Sequence, residues 1–394
     1  MKKHDVIVVG AGPVGSYTAY LLARKGLDVG ILEKNQTIGK DVNCTGVVSA
    51  KCFKRFVLPD KTILRLIDSI KAFSPSGNYV RYRAASPLAY VVSRPLFEQE
   101  INALAVREGA TVYLNTRVER YSVRDSRFEV KVRTQEEQRE ICSAMGVVAA
   151  GFDLNPPKGV STGPKDYLYG IQTEAKVKDI GNEIEIYFGR EIVPGSFAWI
   201  VPTNNGLSKI GLIAKKNPAA LLNGFLRNPL IGDRINSDDN QIKCSPIPYG
   251  STPKSHAERL IIVGEAAGQV KTTTGGGIYF GFLCSEIAAS VITKAFRKKD
   301  FSEKALQEYD VNWRKAIDPE LKAGKFLRNF FSRLSDTQIN LFIDLARTDG
   351  ILPMIKENNF DWQRDLIMSL FRKVFAKKIF RTRKSNLTQI IHHS

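Results

Sequence analysis

Between Asp5 and Glu33 the residue pattern leaves little choice of fold. Val6–Val9 is a short apolar run, which reads as a buried parallel strand. Gly10-Ala11-Gly12-Pro13-Val14-Gly15 then turns the chain into a helix whose Ala19, Leu22 and Ala23 face inward. Gly26 ends that helix, Val29–Leu32 reads as a second strand, and Glu33 closes it. Each glycine of the turn has a task. Gly10 permits the tight strand-to-helix turn, Gly12 lets a pyrophosphate approach the backbone, and Gly15 lets helix and strand pack closely. The helix N-terminus presents unpaired N–H groups and the positive end of its dipole to phosphates. Glu33 stands where a carboxylate accepts the hydroxyls of a ribose; as a plain strand-end acid it would only be solvated. Glycine-rich turns are common, so the weight rests on the register of all these features together. They predict a dinucleotide site.

A chain of 394 residues exceeds one ordinary core, so two intertwined domains and a tail are expected. Cys44, Cys52, Cys142, Cys244 and Cys284 are scattered, without paired or zinc-like spacing. That favours a reducing compartment over a disulfide scaffold or a dithiol flavin reductase. The four histidines form no metal pattern. The N-terminal apolar run is too short for a signal peptide, and no stretch of about 18 apolar residues predicts a membrane span. The net charge of +18 points to an anionic partner surface, either nucleic acid or lipid. No recognition module or aromatic-interleaved basic stripe accompanies it, which disfavours nucleic acid.

After Glu33 the Rossmann alternation lapses. A loop through Cys44-Thr45-Gly46 leads into a mixed helical stretch from Ser49, then short strand-like pieces from Ala72 to Tyr90. A periodic helix carries Phe97, Ile101, Leu104 and Ala105; a strand at Thr111–Leu114 follows, and a β-meander runs to about Met145. Val147–Gly151 and Leu260–Gly268 read as two further buried strands. The second opens through Thr274-Gly275-Gly276-Gly277-Ile278 into a long helix to about Phe296. Backbone N–H groups of Gly276, Gly277 and Ile278 at a helix start suit the negative charge of a reduced flavin. A flexible glycine loop would not need the strand before it and the periodic helix after it.

Over about residues 4 to 300 this order resembles the FAD-dependent group that includes the aromatic hydroxylases, and within it the geranylgeranyl reductase family. The stretch from Gly264 to Ala289 is similar to that family's second FAD-contacting element. Pro194-Gly195-Ser196-Phe197-Ala198-Trp199-Ile200-Val201-Pro202 resembles its PxxYxWxFP segment, with Phe197 for Tyr and Val201 for Phe. Two further departures are Glu265, where the family usually has Asp, and Thr274, where it has proline. The resemblance implies that Arg94 lies near flavin and pyrophosphate, that the Val118 backbone meets the adenine, and that Glu265 holds the ribityl chain. It also implies that Cys44 and Gly46 lie close to the flavin ring; a lone cysteine is otherwise a small buried hydrophobe. Phe197 and Trp199 read first as part of a buried strand, and on the resemblance as walls of a substrate tunnel.

The fold expected is α/β (α+β overall): a Rossmann-type FAD-binding domain with an inserted antiparallel-sheet substrate domain and a helical C-terminal region. The FAD-binding domain takes 1–70, 94–152 and 256–300, the substrate domain 71–93 and 153–255, and the basic helical region 301–394. There Leu366, Ile367, Leu370, Phe371, Val374, Phe375 and Ile379 recur at helical spacing among Arg372, Lys373, Lys377, Lys378, Arg381, Arg383 and Lys384. Such a helix either lies in an anionic membrane surface or docks on the protein with its basic face outward. The resemblance implies a flavoprotein oxidoreductase of lipid biosynthesis that reduces C=C bonds in isoprenoid chains of a prenyl lipid or prenyl diphosphate. Its place would be cytoplasmic, peripheral on the inner face of the cell membrane. Cys44, Trp199 and Phe197 are the expected catalytic-site residues, with Cys44, Tyr187, Tyr279 or a water as proton donor. No second nucleotide fingerprint appears, so NADPH would bind transiently, or a reduced ferredoxin would dock as electron donor. The alternatives are a monooxygenase or a halogenase of the same fold, or a non-catalytic lipid-binding flavoprotein. Of the halogenase segment WxWxIP the chain keeps Trp199 and Pro202.

Overall fold

The computed structural model of the protein describes residues 4–153, 164–236, 241–348, 360–365 and 367–369. Among them the strands form three sheets. The first centres on His4–Val9, which pairs in parallel with Val29–Leu32 on one side and Gln138–Val148 on the other. Val8 lies opposite Ile31 and Val147, so each central residue is buried by neighbours on both flanks. Thr111–Tyr113 and Leu260–Ile262 extend the parallel sheet outward. The helices Pro13–Ala23 and Ile278–Lys298 cover one face, and Ala19, Leu22, Phe280 and Phe282 disappear into the core beneath them. The latter helix is long and apolar enough to cross a membrane by composition. Its burial against the body of the protein makes it a core helix instead.

Two boundaries differ from the sequence expectation. The end of the meander and the strand expected from Val147 are one continuous strand, Gln138–Val148. Its first half pairs antiparallel with Arg127–Arg133 and alternates buried Ile141, Ser143 and Met145 with more exposed neighbours. Its second half enters the parallel sheet, where both faces are covered and the alternation stops. The strand expected over Leu260–Gly268 ends at Ile262. Gly264, at φ +69°, breaks it, and Gly264–Ala267 forms a 3-10 turn.

The second sheet is antiparallel except where Glu183–Tyr187 runs parallel to Ser69–Phe73. Its strand Ala198–Pro202 sorts residues by the two-residue period. Ala198 and Ile200 join the sheet's own core with Tyr187, Leu212 and Phe225. Trp199 and Val201 point to the opposite face, with Ile184 and Ile186. The expectation of a uniformly buried strand from Phe197 therefore holds for half its residues: Phe197 precedes the strand, and Phe197 and Trp199 are only half-buried. A small third sheet, Val47–Ser49, Ala89–Val92 and Ile63–Ile67, stands against that second face.

The C-terminal region begins with the helix Glu303–Phe331, which buries Leu306, Tyr309, Trp313, Ile317 and Leu321 at three- and four-residue steps. After the helix Asp336–Thr348, the segment from Phe360 returns to the body, with Asp361 and Ile367 buried. Apart from Ile367, the basic amphipathic pattern of the tail lies outside the described residues.

Candidate active site

One cavity of 790 Å³ opens between the first and second sheets. It gathers Gly10, Gly12 and Glu33 from the first turn, Cys44 and Gly46 from the following loop, and Arg94 from the start of the helix Arg94–Arg107. Glu265, Gly276, Gly277 and Ile278 come from the second glycine turn, and Phe197 and Trp199 from the second sheet. Two expected site residues stay behind the wall. Gly15 works in packing: a Cβ there would stand 2.0 Å from the Gly10 carbonyl oxygen. Val118 packs its side chain with Ile7, Val9 and Leu32 beneath the sheet.

The nucleotide end is built from backbone. Gly12 is the residue before the first helical turn, with extended φ −64° and ψ 176°, and a Cβ there would meet nothing within 4 Å. Glu33 is fixed at the strand end because its two oxygens accept from Ala11 N at 3.0 Å and Asn35 N at 2.9 Å. The carboxylate thus faces the cavity beside a helix N-terminus. Arg94 is buried, pairs with Glu98 one turn on, and has an Nε without a protein partner. Burial raises the Glu98 carboxyl, although Arg94 pulls it the other way. Glu265 lines the cavity and the residue is exposed to solvent, yet desolvation of its carboxyl pushes the pKa up, against the opposing pull of Arg94. A cation, a diol-accepting carboxylate and open backbone at a helix start match the parts of FAD. The volume also lies within the roughly 300–1,000 Å³ of ligand pockets.

Around Cys44 the loop is held by Gly46 N, which approaches Sγ at 3.4 Å, and by Lys209 Nζ, which donates to the Cys44 carbonyl at 2.9 Å. Burial lowers the Lys209 ammonium pKa, partly offset by Cys44 and Glu174. Beyond this loop the cavity becomes an apolar chamber walled by Ile70, Leu88, Ile184, Ile186, Trp199 and Val201. Two buried polar atoms on its walls, Trp199 Nε1 and Asn43 Oδ1, have no partner in the protein. Leaving such a group unmet costs about 1–3 kcal/mol, and neither atom is itself exposed to the cavity.

Of the proton-donor candidates, Tyr187 is ruled out. It lies fully buried on the opposite face of the second sheet, bonded to Glu185 at 2.6 Å and near Arg234. Tyr279 does line the cavity, and its oxygen accepts from Trp362 Nε1 at 3.4 Å.

Several cavity residues were missed by the sequence reading. Glu98 had a readable signal, standing four residues after Arg94 on one helix. Lys271 and Asp361 had none, since 90 positions separate them. Nor did Arg328, which stands behind the cavity lining and whose guanidinium donates to the Thr272 and Thr273 carbonyls at 3.0 and 2.6 Å and to Ser196 Oγ at 2.9 Å. Burial lowers its pKa to about 10. This one cation ties the second glycine turn to the segment carrying Phe197 and Trp199.

Fold and site define an FAD-dependent oxidoreductase, and residues 5–66 match the FAD dependent oxidoreductase family. The digeranylgeranylglycerophospholipid reductase of Methanocaldococcus jannaschii is 30% identical over 363 residues, spanning 88% of this chain and 92% of that protein. The chain belongs to the digeranylgeranylglycerophospholipid reductase family. Among solved structures, a geranylgeranyl bacteriochlorophyll reductase-like protein from Thermoplasma acidophilum matches with a TM-score of 0.85 at 20% identity, covering 98% of this chain and 99% of that one. A flavin-dependent brominase shares the fold with a TM-score of 0.71 at 15% identity, over 95% of this chain and 100% of its own.

Proposed function

We propose that this flavoenzyme saturates C=C bonds in the geranylgeranyl chains of prenyl lipids or prenyl diphosphates. The observation that carries the reading is the continuity of the cavity: the glycine turns at one end open directly into the apolar chamber at the other. When bound and reduced, FAD supplies a hydride from its N5. The protein's part is binding, orientation and protonation. Gly10, Gly12 and the helix start hold the pyrophosphate, Glu33 the ribose, Arg94 the region between pyrophosphate and ring, and Glu265 the ribityl chain. The Val118 backbone meets the adenine. N–H groups of Gly276, Gly277 and Ile278 stabilise negative charge on the ring. Phe197 and Trp199 hold the alkene in place, with Cys44 and Gly46 in the loop beside it.

An isolated trisubstituted alkene accepts hydride poorly unless a proton reaches its other carbon. Cys44 and Tyr279 stand on the cavity wall for that task, directly or through a water. In this reading 71–93 and 153–255 form the substrate domain, and 1–70, 94–152 and 256–300 the FAD-binding domain. The basic tail within 301–394 holds the enzyme, cytoplasmic and peripheral, on the anionic inner face of the cell membrane. The charge of +18 supports this. NADPH or a reduced ferredoxin delivers the electrons. Anaerobic incubation of the reduced protein with geranylgeranyl lipids tests the proposal. Saturated product supports it; turnover that needs oxygen points to a monooxygenase or halogenase on the same fold.

A further inference from the structure

Lys271 and Asp361 form a buried ion pair on the cavity wall that the proposed chemistry leaves unused. Lys271 is 8% exposed and Asp361 3%, and Lys271 Nζ lies 2.6 Å from Asp361 Oδ1. The other carboxylate oxygen accepts from Ser49 Oγ. The ammonium also stands 3.5 Å from the Phe360 carbonyl and 5.1 Å from the Phe360 ring centre. The segment carrying Asp361 is anchored by Glu320, which accepts from Gln363 N and Arg364 N, both at 2.9 Å.

On its other side Lys271 is closed onto the second glycine turn. Its N–H donates to Gly276 O at 3.1 Å, and its carbonyl accepts from Gly275 N at 2.9 Å. A Cβ on Gly276 would stand 3.9 Å from Lys271 Cε. An ammonium therefore lies against the turn, and the carboxylate that neutralises it comes from the C-terminal segment.

We propose that Asp361 sets the reduction potential of the flavin by cancelling the charge of Lys271. The inference rests on the reading that the flavin ring lies over Gly276–Ile278. A lone cation there stabilises the reduced, negatively charged ring, and so makes it a weaker hydride donor. Neutralised by Asp361, the same side chain leaves the potential low, as a poor hydride acceptor such as an isolated alkene requires. Stability alone explains the pair badly, because apolar residues of similar volume often serve a buried position as well or better. Asp361 acts through Lys271 and is a positioning residue.

The test is the midpoint potential of FAD bound to the full chain, by equilibrium dye titration. Asp361→Asn should favour binding of reduced over oxidised FAD at least tenfold more than wild type does. That is a rise of about 30 mV for a two-electron couple. Lys271→Met should shift the potential the opposite way, and the double variant should return it to near wild type. Ser49→Ala keeps both charges and carries the test if a single-charge variant does not fold. By loosening the carboxylate it should raise the potential by a smaller amount. A wild-type potential in folded, FAD-loaded Asp361→Asn, or in Ser49→Ala if that variant stands in, overturns the proposal. Gly276→Val separates the two failures. If it alters flavin affinity or spectrum while the potential ignores Asp361, only the tuning role falls. If it alters neither, the placement of the ring falls with it.

Discussion

Replacing Gly12 and Gly15 in turn separates binding from folding, because the two glycines have opposite surroundings. At Gly12 a Cβ meets nothing within 4 Å, and φ −64°, ψ 176° is a conformation any L-residue adopts. Gly12→Val should therefore leave the stability of the FAD-free protein within about 1 kcal/mol, the scale of a helix-cap change. On the proposed placement of FAD, however, its side chain projects where the pyrophosphate would approach the helix start. Hydrogen bonds to a charged group contribute about 1.5–3 kcal/mol each. Losing two of them costs about 3–6 kcal/mol, or roughly a hundredfold to ten-thousandfold in affinity for FAD.

Gly15→Ala behaves differently. Its Cβ would stand 2.0 Å from the Gly10 carbonyl oxygen and 3.1 Å from Ala149 Cβ, so the helix must move off the first strand. Overpacking of this kind typically costs about 1–3 kcal/mol, and here the obstruction is backbone. FAD titration followed by absorbance, with thermal melting of the FAD-free proteins, reads both quantities. Gly12→Val with full FAD occupancy would refute the placement of the pyrophosphate. Gly15→Ala with an unchanged melting temperature would refute the packing argument.

Trp199→Ala should slow alkene reduction by roughly a hundredfold through lost orientation, while reduction of the flavin by dithionite stays unchanged. Unchanged alkene reduction would leave the residue a purely structural role. The large-to-small change costs up to about 3–5 kcal/mol, so folding must be confirmed by melting first. Removing residues 370–394 leaves the Phe360–Ile367 wall in place and should abolish most salt-sensitive binding to anionic vesicles, at about 1 kcal/mol per basic residue near the surface. Equal binding by the truncated chain would assign the tail to docking. Burial lowers the pKa of His256, partly offset by Asp310. Its folded-state pKa thus lies below the unfolded value of about 6.5, and stability should fall as pH drops through that value. His256→Gln should flatten the dependence in a melting series from pH 8 to 5.

The first nucleotide turn was legible because all its signals are local. Strand, glycines, helix and Glu33 lie within 29 positions, and both the Glu33 hydrogen bonds and the contact at Gly15 follow from that spacing. Strand boundaries were less legible where burial changes along one strand. Gln138–Val148 passes from a hairpin with one covered face into a parallel sheet with two, so its pattern imitates two elements. Tyr187 shows the limit of reading polar residues one at a time. Its hydroxyl suggested an acid, but the two-residue period turns it away from the cavity that Ile184 and Ile186 face. The far wall was illegible because Lys271, Asp361 and Ser49 meet only through tertiary structure.

The brominase match bears on which parts of the molecule decide the chemistry. At a TM-score of 0.71 the two proteins share sheets, helices and the path of the chain, and with them the places where glycine turns can stand. A shared fold leaves open which substrate is handled. In this protein the open part is the chamber: Ile70, Leu88, Ile184, Ile186 and Val201 offer no polar group, and the polar side chain among them is Tyr82, paired opposite Ile70. A polar aromatic substrate would lose its hydration there and find few partners in return, at about 1–3 kcal/mol for each group left unpaired. An isoprenoid chain has no such groups to lose. Its burial gains about 25 cal/mol for every Å² removed from water, and little in the chamber walls opposes it. The part of the cavity that suits a hydrocarbon chain is thus set by side chains carried on sheets that the brominase shares, because a common backbone path leaves those side chains free to differ.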